Sequence, residues 1–124
     1  MAIVIGVGFR QETTDLVLQA ALQEALDRSG ENWPTLAAVA TTARRCGHPA
    51  LVGLTVPVEF HDPATLAAVP SAHPGAVVAA LAGTASVAEA AALLSSGYGE
   101  LLAPKRCANG VCTAVTRRGS GVVS

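Results

Sequence analysis

The sequence predicts an α/β fold: a single compact domain of three layers, α/β/α, with a mixed, mostly parallel sheet. Three observations favour this class. The apolar run from Ala2 to Gly8 is typical of a short strand that is covered on both faces. A helical pattern and a second apolar run follow it, as expected for a β-α-β unit with a right-handed crossover. The chain has 124 residues, enough for one buried core, which we place in residues 1–118 with a flexible tail at 119–124.

The first helix is predicted to begin after Thr13 or Thr14, either of which can cap its start, and to end at Gly30. Apolar residues recur at four-residue intervals along one face of this helix, at Leu18, Leu22 and Leu26. A second strand is predicted at residues 36–41, where alanines weaken the alternation of side chains. These elements complete the β-α-β unit.

The middle of the chain carries shorter elements. Residues 49–54 begin with proline and are predicted to form a short helix, which a third strand at 56–60 would follow. Asp62 then caps a helix over 63–69, with a proline at its first position. Another helix is predicted over 74–81.

The last third of the chain is predicted to contain a helix and a pair of strands. Ser86 and Glu89 match a capping box ahead of an alanine-rich helix. Two strands at 100–103 and 112–116 are joined by a basic loop, in which Asn109-Gly110 favours a hairpin turn.

Composition excludes several classes of protein. The formal net charge is -1, which gives no general attraction to nucleic acid or acidic membranes. No apolar run reaches ~18 residues, and the amino terminus lacks the features of a signal peptide. We therefore expect a cytoplasmic protein with no nucleic-acid partner and no membrane partner.

The three cysteines, Cys46, Cys107 and Cys112, are an odd set. Cys107 and Cys112 lack the spacing and the second ligand pair of a zinc site. We expect free thiols, no metal and no cofactor.

Five of the eight cations follow predicted strands directly. In an open α/β sheet, ligands gather outside the carboxyl ends of the parallel strands. That edge is expected to collect Arg10, Thr42 with Arg44 and Arg45, and the pair Lys105 and Arg106. Such a cluster would bind a ligand that carries several carboxylates. Two alternatives stay open: these are ordinary solvated loop charges, or the loop with Lys105 lies at the opposite edge of the sheet.

Residues 6–10, with the sequence Gly-Val-Gly-Phe-Arg, are the strongest candidate for ligand contact. Gly6 and Gly8 are expected to let the main chain turn tightly and approach a ligand, and Arg10 offers five donors in a planar fork. A dinucleotide-binding loop would need a third glycine at the position of Gln11 and an acidic residue near Thr42. Both are missing, so nucleotide binding is not predicted.

Candidate catalytic groups are few. The three histidines fall in predicted loops near prolines, and surface positions are the simpler interpretation. His48 lies close to the end of the second predicted strand and is the candidate proton shuttle. Ser86 and Glu89 are expected to satisfy each other as a helix cap, which argues against a catalytic serine.

Three segments in this order resemble the CobE/CbiG carboxy-terminal domain family of cobalamin biosynthesis: residues 6–13 (GVGFRQET), 86–93 (SVAEAAAL) and 101–106 (LLAPKR). The resemblance covers roughly residues 3–117. Family members usually have a cysteine at the position of Phe9, and a basic residue and a glycine at the positions of Gln11 and Glu12.

The resemblance implies work on a corrin precursor, either at ring contraction or in the steps after it. CbiG-type proteins are associated with opening a ring lactone and releasing acetaldehyde, and CobE-like proteins belong with the aerobic route. Corrin precursors are flat macrocycles fringed with carboxylates, so a cationic sheet edge suits them.

Three hypotheses follow. The first is a protein that binds a precorrin intermediate or assists its processing through the residues Gly6, Gly8, Phe9, Arg10, Thr13, Thr42, Ser86, Lys105 and Arg106. The second is a hydrolase that acts on the ring lactone, with His48 or Glu89 as the general base. The third is a non-catalytic domain that docks on another enzyme of the cobalamin pathway.

Overall fold

A five-stranded mixed sheet with helices on both faces organises the protein. The computed structural model describes residues 2–69 and 84–118, and of residues 84–86 it describes the backbone. In chain order the elements are β1 (Ala2–Phe9), α1 (Asp15–Ser29), β2 (Leu36–Thr42), α2 (Pro49–Val52), β3 (Val58–His61), α3 (Pro63–Ala67), α4 (Thr84–Ser96), β4 (Leu101–Ala108) and β5 (Val111–Arg118).

The strand order is β3-β2-β1-β5-β4. Strands β1, β2 and β3 are parallel, and β5 lies antiparallel between β1 and β4. The predicted class, a three-layer α/β/α domain around a mixed sheet, is confirmed. No helix in residues 2–69 and 84–118 is long and apolar enough to span a membrane.

One face of the sheet packs on α1. The buried leucines of this helix, Leu18, Leu22 and Leu26, join Ile5 and Val7 of β1 in the largest apolar cluster. The predicted limits of the helix are confirmed: Thr14 accepts a hydrogen bond from the Val17 amide at 3.3 Å, and Gly30 ends the helix with φ of 75°.

The other face packs on α4, which approaches the sheet closely because small residues meet there. Ala88 and Ala92 are buried against β1 and β5. A Cβ atom built on Gly6 would overlap the Ala88 carbonyl oxygen, and it would lie 2.7 Å from the Ala92 nitrogen. The bare α-carbon of Gly6 therefore makes room for the α4 backbone.

Two expectations about residues 6–10 and 86–89 are wrong. Gly6 and Gly8 are buried positions inside β1, and the predicted tight turn is absent from this segment because both glycines pair with β5. The described part of helix α4 starts at Thr84, so Ser86 lies within the helix and not at its N-cap position. The predicted helix at 74–81 and the tail at 119–124 lie outside the described residues.

The carboxy-terminal hairpin is longer than predicted. Asn109 and Gly110 form its turn with φ of 55° and 79°, which confirms the hairpin. Lys105 and Arg106, expected in a loop, lie in β4, because pairing with β5 continues up to Ala108. Strand β4 is an edge strand, since β5 separates it from β1.

Cys107 and Cys112 form a disulfide, so the expectation of three free thiols is wrong. The two residues are direct cross-strand partners in the hairpin, with α-carbons 4.0 Å apart. This register brings the two side chains together, which a spacing of five along the chain does not reveal. Cys46 is free and exposed.

Loss of this disulfide is expected to destabilise the protein moderately. The crosslink closes a short loop, with a sequence separation of 5, so we expect Cys107→Ser/Cys112→Ser to lower the free energy of unfolding by about 2 kcal/mol. Denaturant titration measures this change, with Cys46→Ser as the control that leaves stability unaltered. Free thiols at all three positions in the oxidised protein, found by alkylation and mass spectrometry, would contradict the pairing.

Candidate functional site

The carboxyl ends of β1 and β2 lie side by side, and Arg45 joins them. Arg45 follows β2 in a single 3-10 turn, Ala43–Arg45, and its Nε donates to the Phe9 carbonyl at the end of β1 at 3.0 Å. Its guanidinium carbon lies 5.7 Å from the centroid of the Phe9 ring, a cation-π arrangement. Phe9 is buried, so Arg45 is held between the two strand ends.

Two further arginines stand beside Arg45. Arg10 directly follows β1, Arg44 precedes Arg45 in the 3-10 turn, and both are exposed. Among residues 2–69 and 84–118, none of these three arginines forms an ion pair with a carboxylate, and Glu12 in the same loop pairs with none of them. We call Arg10, Arg44 and Arg45 the strand-end arginine cluster.

Two predicted threonines shape the backbone of this edge. The Thr42 hydroxyl accepts a hydrogen bond from the Arg44 amide at 3.3 Å and so caps the 3-10 turn. The Thr13 amide donates to the Arg10 carbonyl at 3.1 Å and closes the turn after β1. Both residues thus lie where the sequence placed them, and their observed contacts fix the loops that carry the arginines.

Helix α4 points its amino-terminal end towards the same edge of the sheet. Ala88 lies over Gly6, while Ala92, one turn later, accepts a hydrogen bond from Thr116, the cross-strand partner of Val4. The helix therefore runs antiparallel to β1, and the positive end of its dipole adds to the field of the strand-end arginine cluster.

His48 was expected on the surface as a candidate proton shuttle, and this placement is wrong. The residue is 5% exposed, and its ring meets the Phe9 ring edge-on at 5.0 Å between centroids. Its Nδ1 accepts from the Ala50 amide at 3.0 Å, which requires Nε2 to donate to the Gln11 carbonyl at 2.7 Å. Both ring nitrogens hold backbone groups, so His48 supports the Gln11 loop instead of offering a base.

Glu89 also has a structural contact. This carboxylate is 9% exposed and accepts a hydrogen bond from the Lys105 amide at 3.1 Å, which fastens β4 to α4. Lys105 lies two strand spacings, about 10 Å, from β1. The site therefore brings together Phe9, Arg10, Thr13 and Thr42, and it leaves Lys105 at a distance.

Arg106 lies on the α1 side of the sheet. Its guanidinium forms an ion pair with Glu24 of α1 at 3.5 Å. Strand pairing places it opposite Thr113, whose partner on β1 is Val7. Arg106 therefore lies outside the strand-end arginine cluster. It is nevertheless on the part of the hairpin that lies beside the carboxyl end of β1.

A second polar cluster, which the sequence did not indicate, joins β3, α4 and β5. Arg118 donates to both carboxylate oxygens of Glu59, at 3.0 and 2.9 Å, and to the Ser95 carbonyl. His61 Nε2 lies 2.6 Å from the Ser95 hydroxyl. Burial alone would raise the pKa of Glu59, but hydrogen bonds from Ser95 and Arg118 and the Arg118 and His61 charges hold this pKa below 4.5. These groups satisfy one another and tie the sheet edge to α4.

Glu59→Gln is expected to lower stability at neutral pH and to lose this effect in acid. A carboxyl whose pKa is lowered by folding stabilises the native state above its ordinary value of 4.5, and this contribution disappears as the pH falls through the lower native pKa. Denaturant titrations of both proteins at neutral pH and well below 4.5 measure the effect. Glu100→Gln, at an exposed ion pair with Arg117, is the control, and an equal loss at both pH values would contradict the assignment.

The comparisons with known proteins agree with the fold. A family profile described as Cobalamin synthesis G C-terminus matches residues 3–116. The chain belongs to this family. A comparison with curated proteins finds no significant match.

Solved structures extend this result. CobE, described as a protein from the cobalamin (vitamin B12) biosynthetic pathway, is 32% identical, with a TM-score of 0.74 over 94% of this chain and 89% of that one. Cobalamin biosynthesis protein ChiG from Agrobacterium tumefaciens is 27% identical, with a TM-score of 0.66 over 95% and 99% of the two chains. A putative cobalamin biosynthesis protein G homolog from Sulfolobus solfataricus, 16% identical, shares the fold with a TM-score of 0.73 over 96% of this chain and 37% of its own.

Membership of the Cobalamin synthesis G C-terminus family places the protein in cobalamin biosynthesis. The resemblance noted at residues 6–13, 86–93 and 101–106 is confirmed at the level of the family. Among the described residues, no three His, Cys, Asp or Glu side chains lie together as metal ligands.

Proposed function

We propose that this protein of the cobalamin synthesis G family binds a corrin-ring intermediate through the strand-end arginine cluster and assists its processing. The observation that supports this proposal most is the position of Arg45. Its bond to the Phe9 carbonyl holds the ends of β1 and β2 together, and Arg10 and Arg44 flank it without a carboxylate partner among the described residues. Three positive charges on one short edge of the sheet favour the binding of an anionic ligand.

The chemistry of the cluster fits a ligand with several carboxylates. Guanidinium groups bind carboxylates through two parallel hydrogen bonds, and such charge-assisted bonds contribute about 1.5–3 kcal/mol each. Arg45 is already fixed by Phe9, so little conformational entropy is lost when it meets a ligand. Arg10 and Arg44 are exposed and can adjust to side chains at the rim of a macrocycle.

Nothing in the described residues favours hydrolysis of the ring lactone over binding. The two candidate bases already contact the backbone: His48 holds Gln11 and Ala50, and Glu89 holds Lys105. His48 therefore has no free lone pair for a water, and Glu89 is buried beside β4, away from the strand-end arginine cluster. A binding role therefore fits the site better than a catalytic one.

Isothermal titration with cobyrinic acid, a corrin polycarboxylate, tests the proposal. We expect micromolar or tighter binding that weakens steeply as salt is raised, because the contacts are electrostatic and exposed. Cobinamide, whose ring carries amides in place of carboxylates, is the matched ligand and is expected to bind far more weakly.

Equal affinity for the two corrins, or no heat of binding for either, would refute this function. Co-purification with another enzyme of the pathway in the absence of any corrin binding would favour a docking role instead.

A further inference from the structure

A shallow groove of about 390 Å³ lies between α1 and the β4-β5 hairpin. Its walls are mostly apolar: Leu16, Val17 and Ala20 line it from α1, and Ala108 and Val111 line it from the hairpin. Leu16 is 75% exposed, and with the exposed Ala20 it presents apolar surface to solvent along the groove. Leu16 belongs to none of the apolar clusters found among the described residues, whereas Val17 and Val111 pack in the largest of them.

The hairpin wall of the groove is preformed. The disulfide between Cys107 and Cys112 crosslinks the two strands directly behind the Asn109-Gly110 turn. Ala108 and Val111, which line the groove, are paired with each other at the same end of the hairpin. A rigid wall loses little conformational entropy when a ligand packs on it.

Arginines stand at both ends of this groove. Arg106 is one of its lining residues. Arg10 rests against the hairpin turn, since a Cβ atom built on Gly110 would lie 3.7 Å from its Cδ, and the neighbouring Asn109 also lines the groove. The acid in the lining, Glu24, is shared between Arg106 at 3.5 Å and Arg28 at 2.5 Å.

We infer that the groove is a second contact region for the same ligand: it receives the apolar edge of the corrin ring, while Arg10 and Arg106 bind carboxylates on either side. This inference rests on the proposed function and adds the place where the ring itself packs. An apolar strip between two arginines complements a macrocycle edge, whose alkyl groups alternate with acidic side chains. The groove is too small to enclose the whole macrocycle, so only an edge enters.

Arg10 connects the groove with the strand-end arginine cluster. It belongs to that cluster by its position after β1, and its side chain lies along the hairpin turn. A single ligand can therefore extend from Arg44 and Arg45 across Arg10 to the groove.

Filling the groove tests the inference. Ala20 is exposed and lines the groove, so Ala20→Glu adds bulk and a negative charge there without entering the core. We expect binding of cobyrinic acid to weaken at least about tenfold, with an unchanged melting temperature. Ala67→Glu, at an exposed alanine of α3 on the other side of the sheet, makes the same substitution and is expected to leave binding unchanged.

Leu16→Ala provides a second test of the groove in case the Ala20→Glu variant folds poorly. This substitution removes exposed apolar surface from the groove, and we expect affinity to fall about five- to tenfold with unchanged stability.

The outcomes separate this inference from the proposed function. If Arg44→Ala weakens binding and the two groove variants do not, the inference about the groove is wrong, and the proposed site at the strand ends remains supported. If the wild-type protein binds no cobyrinic acid, both the groove inference and the proposed function are wrong. A groove that instead joins two copies of the chain would show as a dimer in light scattering that Ala20→Glu dissociates, with ligand binding unaltered, and this result too would overturn the inference.

Discussion

Replacing Gly6 with alanine is expected to destabilise the protein by about 3 kcal/mol or more, a shift of roughly 10 °C in melting temperature. The added methyl group would overlap the Ala88 carbonyl and come within 2.9 Å of the Ala92 methyl group. These obstacles belong to the backbone and first carbon of α4, so no flexible side chain can swing aside. The whole helix must move away from the sheet, and it would lose its contact with β1 and β5.

Gly53→Ala is the matched control. Gly53 follows α2 with φ of -82°, a conformation that alanine adopts freely, and the nearest atom to an added Cβ is the Gln19 side-chain nitrogen at 3.7 Å. We expect stability to change by no more than about 0.5 kcal/mol. Thermal and denaturant unfolding of the two variants measure both effects. Similar stabilities for the two would contradict the close packing of α4 on Gly6.

Removal of Arg10 and Arg44 is expected to have the largest effect on ligand binding. Each exposed arginine offers a charge-assisted contact of about 1.5–3 kcal/mol, so each single alanine variant should weaken binding of cobyrinic acid by about tenfold or more. Arg10→Ala/Arg44→Ala should weaken it by at least about a hundredfold. Neither residue has an ion-pair partner among the described residues, so we expect folding to be unaffected.

Arg117→Ala is the control for charge. Arg117 pairs with Ile3 near the amino end of β1, far from the cluster, and forms an exposed ion pair with Glu100. This variant loses the same positive charge, and we expect its affinity to stay close to that of the wild type at moderate salt. Equal losses for Arg10→Ala and Arg117→Ala would indicate a diffuse charge effect and would contradict a site at the strand ends.

The sequence predicted the helices and turns whose first and last residues are determined by neighbouring residues in the chain. Thr14 and Gly30 mark the ends of α1 because a side-chain oxygen and a residue with positive φ satisfy the backbone groups at helix ends. Asn109 and Gly110 mark the hairpin turn for a similar reason. The position of Arg10 and Arg44 at one edge of the sheet could be predicted because β1 and β2 are parallel.

Contacts between distant segments could not be predicted in this way. The segment that begins at Gly6 has the composition of a ligand-binding turn. Only the position of α4 shows that the space beside the Gly6 α-carbon is filled by a helix. Cys107 meets Cys112 because of the strand register. Arg118 and Glu59 lie 59 residues apart, and no local pattern joins them. Burial of His48 likewise depends on Phe9 and Gln11, which come from another strand end.

The central claim is that a corrin polycarboxylate binds at the strand-end arginine cluster. A crystal structure of the protein with cobyrinic acid tests it most directly. We expect ligand carboxylates within hydrogen-bond distance of Arg10 and of Arg44 or Arg45. A corrin bound at the opposite edge of the sheet, beside Arg117 and away from all three arginines, would contradict this account.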